Sequence, residues 1–441
     1  MSTLAVWMNG ELVGHWTLTR GSSTLTYAAS WLQSPKRRSL SLSLPITGAR
    51  EVRGQVVANF FDNLLPDNDR IRARLARRFR TRDAEAFTLL EAIGRDCVGA
   101  VQLLPEGMAP VGWDRVEYTP LRPTQVRQWL DAVPSEAVPG AGGAEDELFR
   151  ISLAGAQEKT ALLKIGKRWC RPLGATPTTH ILKLPLGLVG GSRRVDLSDS
   201  IENEWLCAQL LRELGLPVAH AEIVEFAGRQ ALVVERFDRQ WMDGGRWIAR
   251  LPQEDFCQAL GVAPAHKYEK DGGPGIEAGL KLLAGSADAH GDRRTFLLAQ
   301  LTFWLLAATD GHAKNFSIFL QPGDVYTMTP LYDVISVWPY IGDGPNQFRW
   351  RSASLAMALR AKNTHYVLHT IQPRHWHALA MRHGGATTWA AMQALVAEVE
   401  PALARVYQHL PATFSQPLWS SIAQGATALA RAFMAGAKAL A

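Results

Sequence analysis

The sequence predicts an α+β protein of two domains, the second built as a small antiparallel-sheet lobe followed by a larger helical lobe. Three observations carry this. Residues 1–50 are dense in short strand-like segments, and helical periodicity takes over from about residue 55. Residues 134–147, "PSEAVPGAGGAEDE", are rich in Pro, Gly and acid with no apolar period, which marks a domain boundary. Beyond them come strands, one helix and a strand pair, and from about residue 252 mostly helices. The expected domains are 1–145 and 146–441, the latter divided into a small lobe of about 146–240 and a helical lobe of about 241–441.

Each element has a local reason. "LAVWMNGELVGHWTL" reads as strand, Asn-Gly, strand, because a type I′ turn needs positive φ at both central residues. "LTYAASWL" and the alternating "RSLSLSLPI" extend the strand-like pattern. "GQVVANFFDNLLPDNDRIRARLARRF" has an apolar helical face and then a basic one. "DAEAFTLLEAIGRDCVGAVQLLP" reads as helix, Gly-punctuated turn and strand. After the boundary, "LFRISL", "EKTALLKIG" and "THILKLP" read as strands, with "AGAQ" a small-residue turn. "SDSIENEWLCAQLLRELGLP" is a helix with a Ser or Asp N-cap. "HAEIVEFAGRQALVVERFD" is a strand pair around Gly228.

Composition narrows the function class. With 441 residues, 47% of them hydrophobic, the chain buries a large core and is not a disordered protein. A net charge of +6 is a mild basic surplus and a weak pointer to anionic partners. Cys97, Cys170, Cys207 and Cys257 show no CxxC pair, which suits a reducing cytoplasm rather than a disulfide frame or zinc site. The N-terminal residues show no signal-peptide pattern, and no run of ~18 apolar residues suggests a membrane span.

The chemistry concentrates in "LLAATDGHAKNFSIFL", residues 305–320. An apolar run stops at Asp310, Gly311, His312, Ala313, Lys314 and Asn315, then resumes; a hairpin pattern around "QPGD" and "LYDVIS" with Asp333 follow. Asp310-Gly311 alone would be an ordinary turn. An acid, an amide, a hairpin and a second acid form the chemical order of a phosphoryl-transfer site. One carboxylate accepts the proton of the attacking hydroxyl, while an amide oxygen and a second carboxylate suit Mg²⁺. The remaining parts follow the same order. "SLAGAQEK" offers Ser152, Ala154, Gly155, Ala156, Gln157 and Lys159 as a phosphate loop. Lys183 closes the third strand, and the next helix carries Glu202 and Glu204 as possible partners, Glu204 the better placed. Glu235 and Phe237 in "VVERFD" stand at a hinge suited to an adenine edge.

The stretches "FRISLAGAQEKTALL", "TTHILKLP", "VERFDR", "RLPQEDFCQALG", "KYEKDGGPGI", "ATDGHAKNFSIF" and "MTPLYDVIS" closely resemble the HipA family, the serine/threonine kinase toxins of bacterial type II toxin–antitoxin modules. "WMNGELVG", "LSLSLP", "NFFDNLLPD" and "EAIGRDCVGAVQLLPE" resemble its N-terminal subdomain. The likeness runs over nearly the whole chain and weakens after about residue 355. It implies a two-lobed protein-kinase-like (PI3/4-kinase-like) fold, ATP and Mg²⁺ as cofactors, and cytoplasmic location. It further implies Asp310 as catalytic aspartate, Asn315 and Asp333 as Mg²⁺ ligands, Lys183 as the ATP lysine, Glu235 and Phe237 as hinge and Ser152 as an autophosphorylated serine. It implies a HipB-like helix-turn-helix antitoxin, operator DNA bound through that antitoxin, and glutamyl-tRNA synthetase as substrate. Two rivals stand beside this reading: a kinase for a small molecule or lipid, and a non-catalytic corepressor partner.

Other features have plainer expectations. His312 contacts phosphate or substrate, or only hydrogen-bonds its loop; Lys314 reads as a surface or phosphate-neighbouring charge. The seven arginines of Arg70–Arg82 read as a solvated helix face, with contact to DNA or an acidic antitoxin surface the alternative. "LPLGLVGGSRRVDLSDS" (184–200) looks too irregular for an element, with Arg193 and Arg194 as possible phosphate partners or as residues of a plain surface loop. The fifteen tryptophans read as packing residues.

Overall fold

The computed structural model describes residues 2–134, 153–155, 157–189 and 194–440. The chain divides into two compact units. The first comprises Met1–Leu184, Glu222–Ala265 and Ser317–Tyr326; the second comprises Pro185–Ala221, His266–Phe316 and Thr327–Ala441.

The first unit opens on the Asn-Gly hairpin. Ser2–Met8 pairs antiparallel with Glu11–Thr19, and Asn9 and Gly10 have φ of 46° and 81°, as a type I′ turn demands. A five-stranded sheet results, ordered Glu51–Arg53, Ser22–Tyr27, Glu11–Thr19, Ser2–Met8, Gln102–Pro105. Helices Gln55–Asp62 and Ala86–Ile93 contribute Phe60, Phe61, Phe87 and Leu90 to its core, where the Trp16 indole stacks on Phe61 at 4.0 Å.

One expected strand is absent. "RSLSLSLPI" is a loop whose polar groups are spent on side chains rather than a ladder. The Ser39 N–H donates to Asp324 at 2.6 Å, the Ser43 hydroxyl to Gln258 O at 2.6 Å, and the Leu42 N–H to Glu254 at 2.9 Å. The buried Tyr27 hydroxyl donates to Leu44 O and accepts from the Leu40 N–H. Period-two spacing cannot distinguish such a loop from a strand, because Leu40 and Leu44 are buried in both cases.

Glu254 lies under this loop. Burial, with help from Asp255 and Asp324, pushes its carboxyl up to about 8 from 4.5, against the opposing Leu42 N–H and Ser41 hydroxyl. A raised folded pKa means stability that is complete below the unfolded value and lost as pH rises through the folded one. Glu254→Gln should therefore flatten the fall in melting temperature between about pH 5 and about pH 8. An equal slope in variant and wild type would refute this.

A six-stranded sheet follows, ordered Ala221–Phe226, Arg229–Glu235, His180–Lys183, Lys159–Ile165, Arg168–Pro172, Tyr118–Pro120. Leu162, Leu182 and Val233 pack with Val126 and Leu130 of helix Pro123–Ala132. The expected strand "LFRISL" and most of the boundary segment lie outside the described residues.

In the second unit, the buried helix Ala289–Leu305 is capped by Asp288, which accepts from the Gly291 N–H. Its Trp304 meets Trp376 of helix Pro373–His383 and Phe433 of helix Gln416–Ala437. The segment 184–200 contains an element after all, the antiparallel pair Gly187–Val189 and Val195–Leu197; Arg194 is exposed and Arg193 lies outside the described residues. The four cysteines are buried and outside any disulfide, and among the described residues no helix is long and apolar enough to cross a membrane.

Candidate active site

The predicted residues fall in both units. Those of the second unit centre on the "DGHAKN" loop. Helix Ala289–Leu305 ends in a tight turn, with the Ala308 N–H on Phe303 O at 2.7 Å. Gly311 is needed for close approach: a Cβ there would lie 2.4 Å from the Phe303 ring. Its φ is not positive, so packing rather than turn geometry requires the glycine. The His312 N–H closes on Asp310 O at 2.8 Å, and the Asn315 N–H on His312 O at 2.9 Å. The Tyr332 hydroxyl holds Lys314 O at 2.9 Å.

Asp310 is exposed, whereas Lys314 and Asn315 are only 7% and 3% exposed. The surface reading of Lys314 is thus corrected: the loop turns inward immediately after its acid. His312 is buried too, its ring edge-on to Tyr268 at 4.9 Å.

Asn315 and Asp333 are brought together. The Asn315 amide N–H donates to Asp333 O at 3.3 Å and lies 3.4 Å from Asp333 Oδ2. Asp333 has φ of 62°, a left-handed conformation costly for a residue other than Gly. The adjacent chain is pinned, with the Leu331 N–H on Pro217 O at 2.8 Å and the Ala219 N–H on Leu331 O at 2.9 Å. Among the described residues Asn315 Oδ1 is buried with no hydrogen-bond partner. Leaving such an acceptor unsatisfied costs about 1–3 kcal/mol. An orphaned amide oxygen beside a carboxylate is a donor set that fits a hard divalent cation such as Mg²⁺. Glu204 is buried on helix Ser200–Glu213 of the same unit.

In the first unit, Lys183 stands directly opposite Lys159 on the neighbouring strand and opposite Leu232 on the other side. Like charges directly opposite each other are unfavourable in a sheet unless an anion joins them. The Lys159 ammonium donates to Ala154 O at 2.6 Å. Gly155 has φ of 102°, and its carbonyl accepts from the Asp67 N–H at 3.3 Å. Gln157 donates to Leu184 O at 2.7 Å. Ser152 and Ala156 lie outside the described residues.

Glu235 ends strand Arg229–Glu235, and the Phe237 ring meets Phe319 edge-on at 5.8 Å. Between and beyond them lies a buried charge cluster that the sequence motifs do not reveal. Asp96 Oδ1 accepts from Arg239 at 3.0 Å and Arg250 at 3.2 Å, and its Oδ2 from the Thr178 hydroxyl at 2.7 Å. Arg236 donates to Asp238 at 2.8 Å and to Cys97 O at 2.8 Å. Burial alone would raise the Asp96 carboxyl, but Arg239, Arg236 and Arg250 together hold it well below the usual carboxylate range. Arg239 is pushed down to about 10 by burial and its arginine neighbours, and stays charged at neutral pH. The available signal was the alternation of charges in "ERFDR" directly after an apolar strand.

The arginine-rich segment agrees with the expected solvated face only in part. Helix Asp69–Arg78 uses two arginines internally: Arg72 pairs with Asp62 at 2.6 Å and Arg74 with Glu158 at 2.5 Å. Arg70, Arg77, Arg80 and Arg82 remain exposed.

Known proteins share both parts of the chain. Residues 4–104 match the model of the HipA N-terminal domain, and residues 151–407 that of the HipA-like C-terminal domain. Y4mE of Sinorhizobium fredii is 37% identical over 342 residues, covering 76% of this chain and 78% of its own. The serine/threonine-protein kinase toxin HipA of Shewanella oneidensis is 29% identical over 353 residues, covering 77% of this chain and 76% of that protein. The solved complex of the Shewanella oneidensis MR-1 toxin–antitoxin system HipA, HipB and its operator DNA matches with a TM-score of 0.77 at 25% identity, over 98% of this chain and 96% of that one. A catalytic-type loop, a paired amide and acid, and matches at this coverage lead to one conclusion: the chain belongs to the HipA family.

Proposed function

We propose that this protein is a MgATP-dependent serine/threonine protein kinase and the toxin of a type II toxin–antitoxin pair. The observation that carries the proposal is the Asn315–Asp333 pair, with its orphaned Oδ1, following directly on the Asp310 loop. Asp310 takes the proton of the acceptor hydroxyl as that oxygen attacks the γ-phosphorus. The bond to the β,γ-bridging oxygen breaks and ADP leaves. Asn315 and Asp333 would hold Mg²⁺, which when bound neutralises charge on the phosphate oxygens. Lys183, Lys159 and the loop of Ser152, Ala154, Gly155, Ala156 and Gln157 position the phosphates. Glu235 and Phe237 take the adenine, and His312 braces the loop from within. Since phosphoryl transfer is mainly positioning and charge stabilisation, these parts suffice.

The protein substrate is glutamyl-tRNA synthetase, whose phosphorylation would stop translation in the bacterial cytoplasm and promote dormancy. The partner is a HipB-like antitoxin, with operator DNA reached through it; the matched complex, which contains HipA, HipB and operator DNA, supports this part. Transfer of label from γ-labelled ATP to a serine of that synthetase tests the reading. No transfer by the purified chain, with Mg²⁺ and without antitoxin, would overturn it.

Ser152 is the autophosphorylation site. A phosphoserine at the base of a phosphate loop repels ATP, so stoichiometric phosphorylation there lowers ATP affinity by about tenfold or more, which calorimetric titration would read. Full affinity in the phosphorylated protein would sink the switch.

A further inference from the structure

Tyr268 belongs to "KYEKDGGPGI", a segment that carries no role in the reading above. Its phenol donates to Asp310 Oδ1 at 2.5 Å. This bond closes a bracket around an exposed side chain. On one side the Asp310 backbone is fixed by the His312 N–H and by the Gly311–Phe303 contact. On the other, the tyrosine is itself held. Its ring lies edge-on to His312, and the Lys267 and Lys270 ammoniums stand 5.4 Å and 5.6 Å from its centroid. Tyr268 O accepts from the Gly273 N–H at 3.0 Å, and Lys267 O from the Ala313 N–H at 3.2 Å. The next residue, Glu269, is anchored by the Ala358 N–H at 2.6 Å and Arg360 at 2.6 Å. Two segments far apart in sequence are thereby locked at one carboxylate.

We infer that Tyr268 is a positioning residue for phosphoryl transfer, holding the Asp310 carboxylate in the orientation that receives the acceptor proton. The inference rests on the kinase reading. A carboxylate on an exposed loop samples several rotamers, and a reacting group misplaced by about 1 Å can cost about a hundredfold in rate. One hydrogen bond from a rigid phenol removes that freedom before substrate arrives, and because it involves a charged acceptor it is among the stronger ones. Phe at this position keeps the ring contacts and removes only the donor.

The test is steady-state kinetics of wild type and Tyr268→Phe, with ATP affinity and melting temperature measured alongside. The expected result is a fall in kcat of about tenfold or more, with KM for ATP and melting temperature unchanged. An unchanged kcat overturns the inference, as does an increase, which would mark the phenol as a block on the base. Loss of ATP affinity or of stability in step with kcat would show a structural role instead. Absence of transfer by the wild type itself would remove the kinase reading, whereas a wild-type rate retained by Tyr268→Phe removes only the role of the tyrosine.

Discussion

Asp333→Asn and Asp310→Gln each reduce phosphoryl transfer by about a thousandfold or more while leaving the melting temperature nearly unchanged. The asymmetry between activity and stability follows from where the residues lie. Asp310 is exposed, so replacing its carboxylate disturbs no packing. Asp333 meets the Asn315 amide through an N–H, which an asparagine carbonyl can still accept. What Asp333→Asn removes is the negative charge beside the orphaned Asn315 Oδ1, and with it the attraction for a divalent cation. What Asp310→Gln removes is the carboxylate proposed to accept the proton. The two variants should therefore differ in Mg²⁺ dependence. Raising Mg²⁺ recovers part of the Asp333→Asn rate and none of the Asp310→Gln rate. Initial rates across a Mg²⁺ titration decide this; wild-type rates in Asp310→Gln would show that Asp310 is not the base.

Asp96→Ala has the largest expected effect on stability. Three buried guanidiniums, from Arg236, Arg239 and Arg250, share the carboxylates of Asp96 and Asp238. Removing Asp96 leaves three buried positive charges against one negative charge. Breaking a buried ion pair from one side costs about 3–5 kcal/mol, because an uncompensated charge stays behind. Asp96→Asn keeps the shape and part of the hydrogen bonding, so its loss should be smaller. The sign of the pH dependence is fixed as well. A depressed carboxylate contributes stability above its unfolded pKa, near 3.8, and loses it as pH falls towards the folded value. Wild type should weaken steeply below about pH 4, and Asp96→Asn should weaken less. Urea unfolding midpoints at neutral and acid pH measure both effects. A loss under about 1 kcal/mol for Asp96→Ala would mean that the cluster is not stabilising.

The cluster also ties the N-terminal segment to the six-stranded sheet of the first unit. The Gly99 N–H donates to Asp238 at 2.7 Å, and Arg236 and Arg239 both donate to Cys97 O. Residues 96–99 thus grip the chain on both sides of Phe237, in the same unit. The cluster would thereby support Glu235 and Phe237 in the adenine-binding role proposed for them.

Much of this was legible in the sequence because local rules acted alone. The Asn-Gly turn, the strand pair around Gly228 and helix Ser200–Glu213 depend on φ preference and apolar spacing, which neighbours in sequence report. The nearness of Asn315 and Asp333 was readable because only a hairpin pattern and a short strand lie between them. The serine-leucine loop misled for a physical reason: the Ser41 and Ser39 hydroxyls accept from the Ser43 and Ile46 N–H groups that a strand partner would otherwise satisfy.

By itself, the sequence set the order of the residues to which the proposed roles are given: small-residue loop, lysine, helix glutamate, strand-end Glu235 and Phe237, acid and amide, final acid. It determined their chemical types as well, since a turn or a strand end is set by residues next to one another. Only the tertiary structure decided which groups support them. Tyr268 reaches Asp310 and Asp96 reaches Arg236, Arg239 and Arg250 across long stretches of chain. It also decided that Lys314 is buried and that Gly311 serves Phe303. Charge pairing and close packing depend on distance in space, and distance along the chain carries no measure of it.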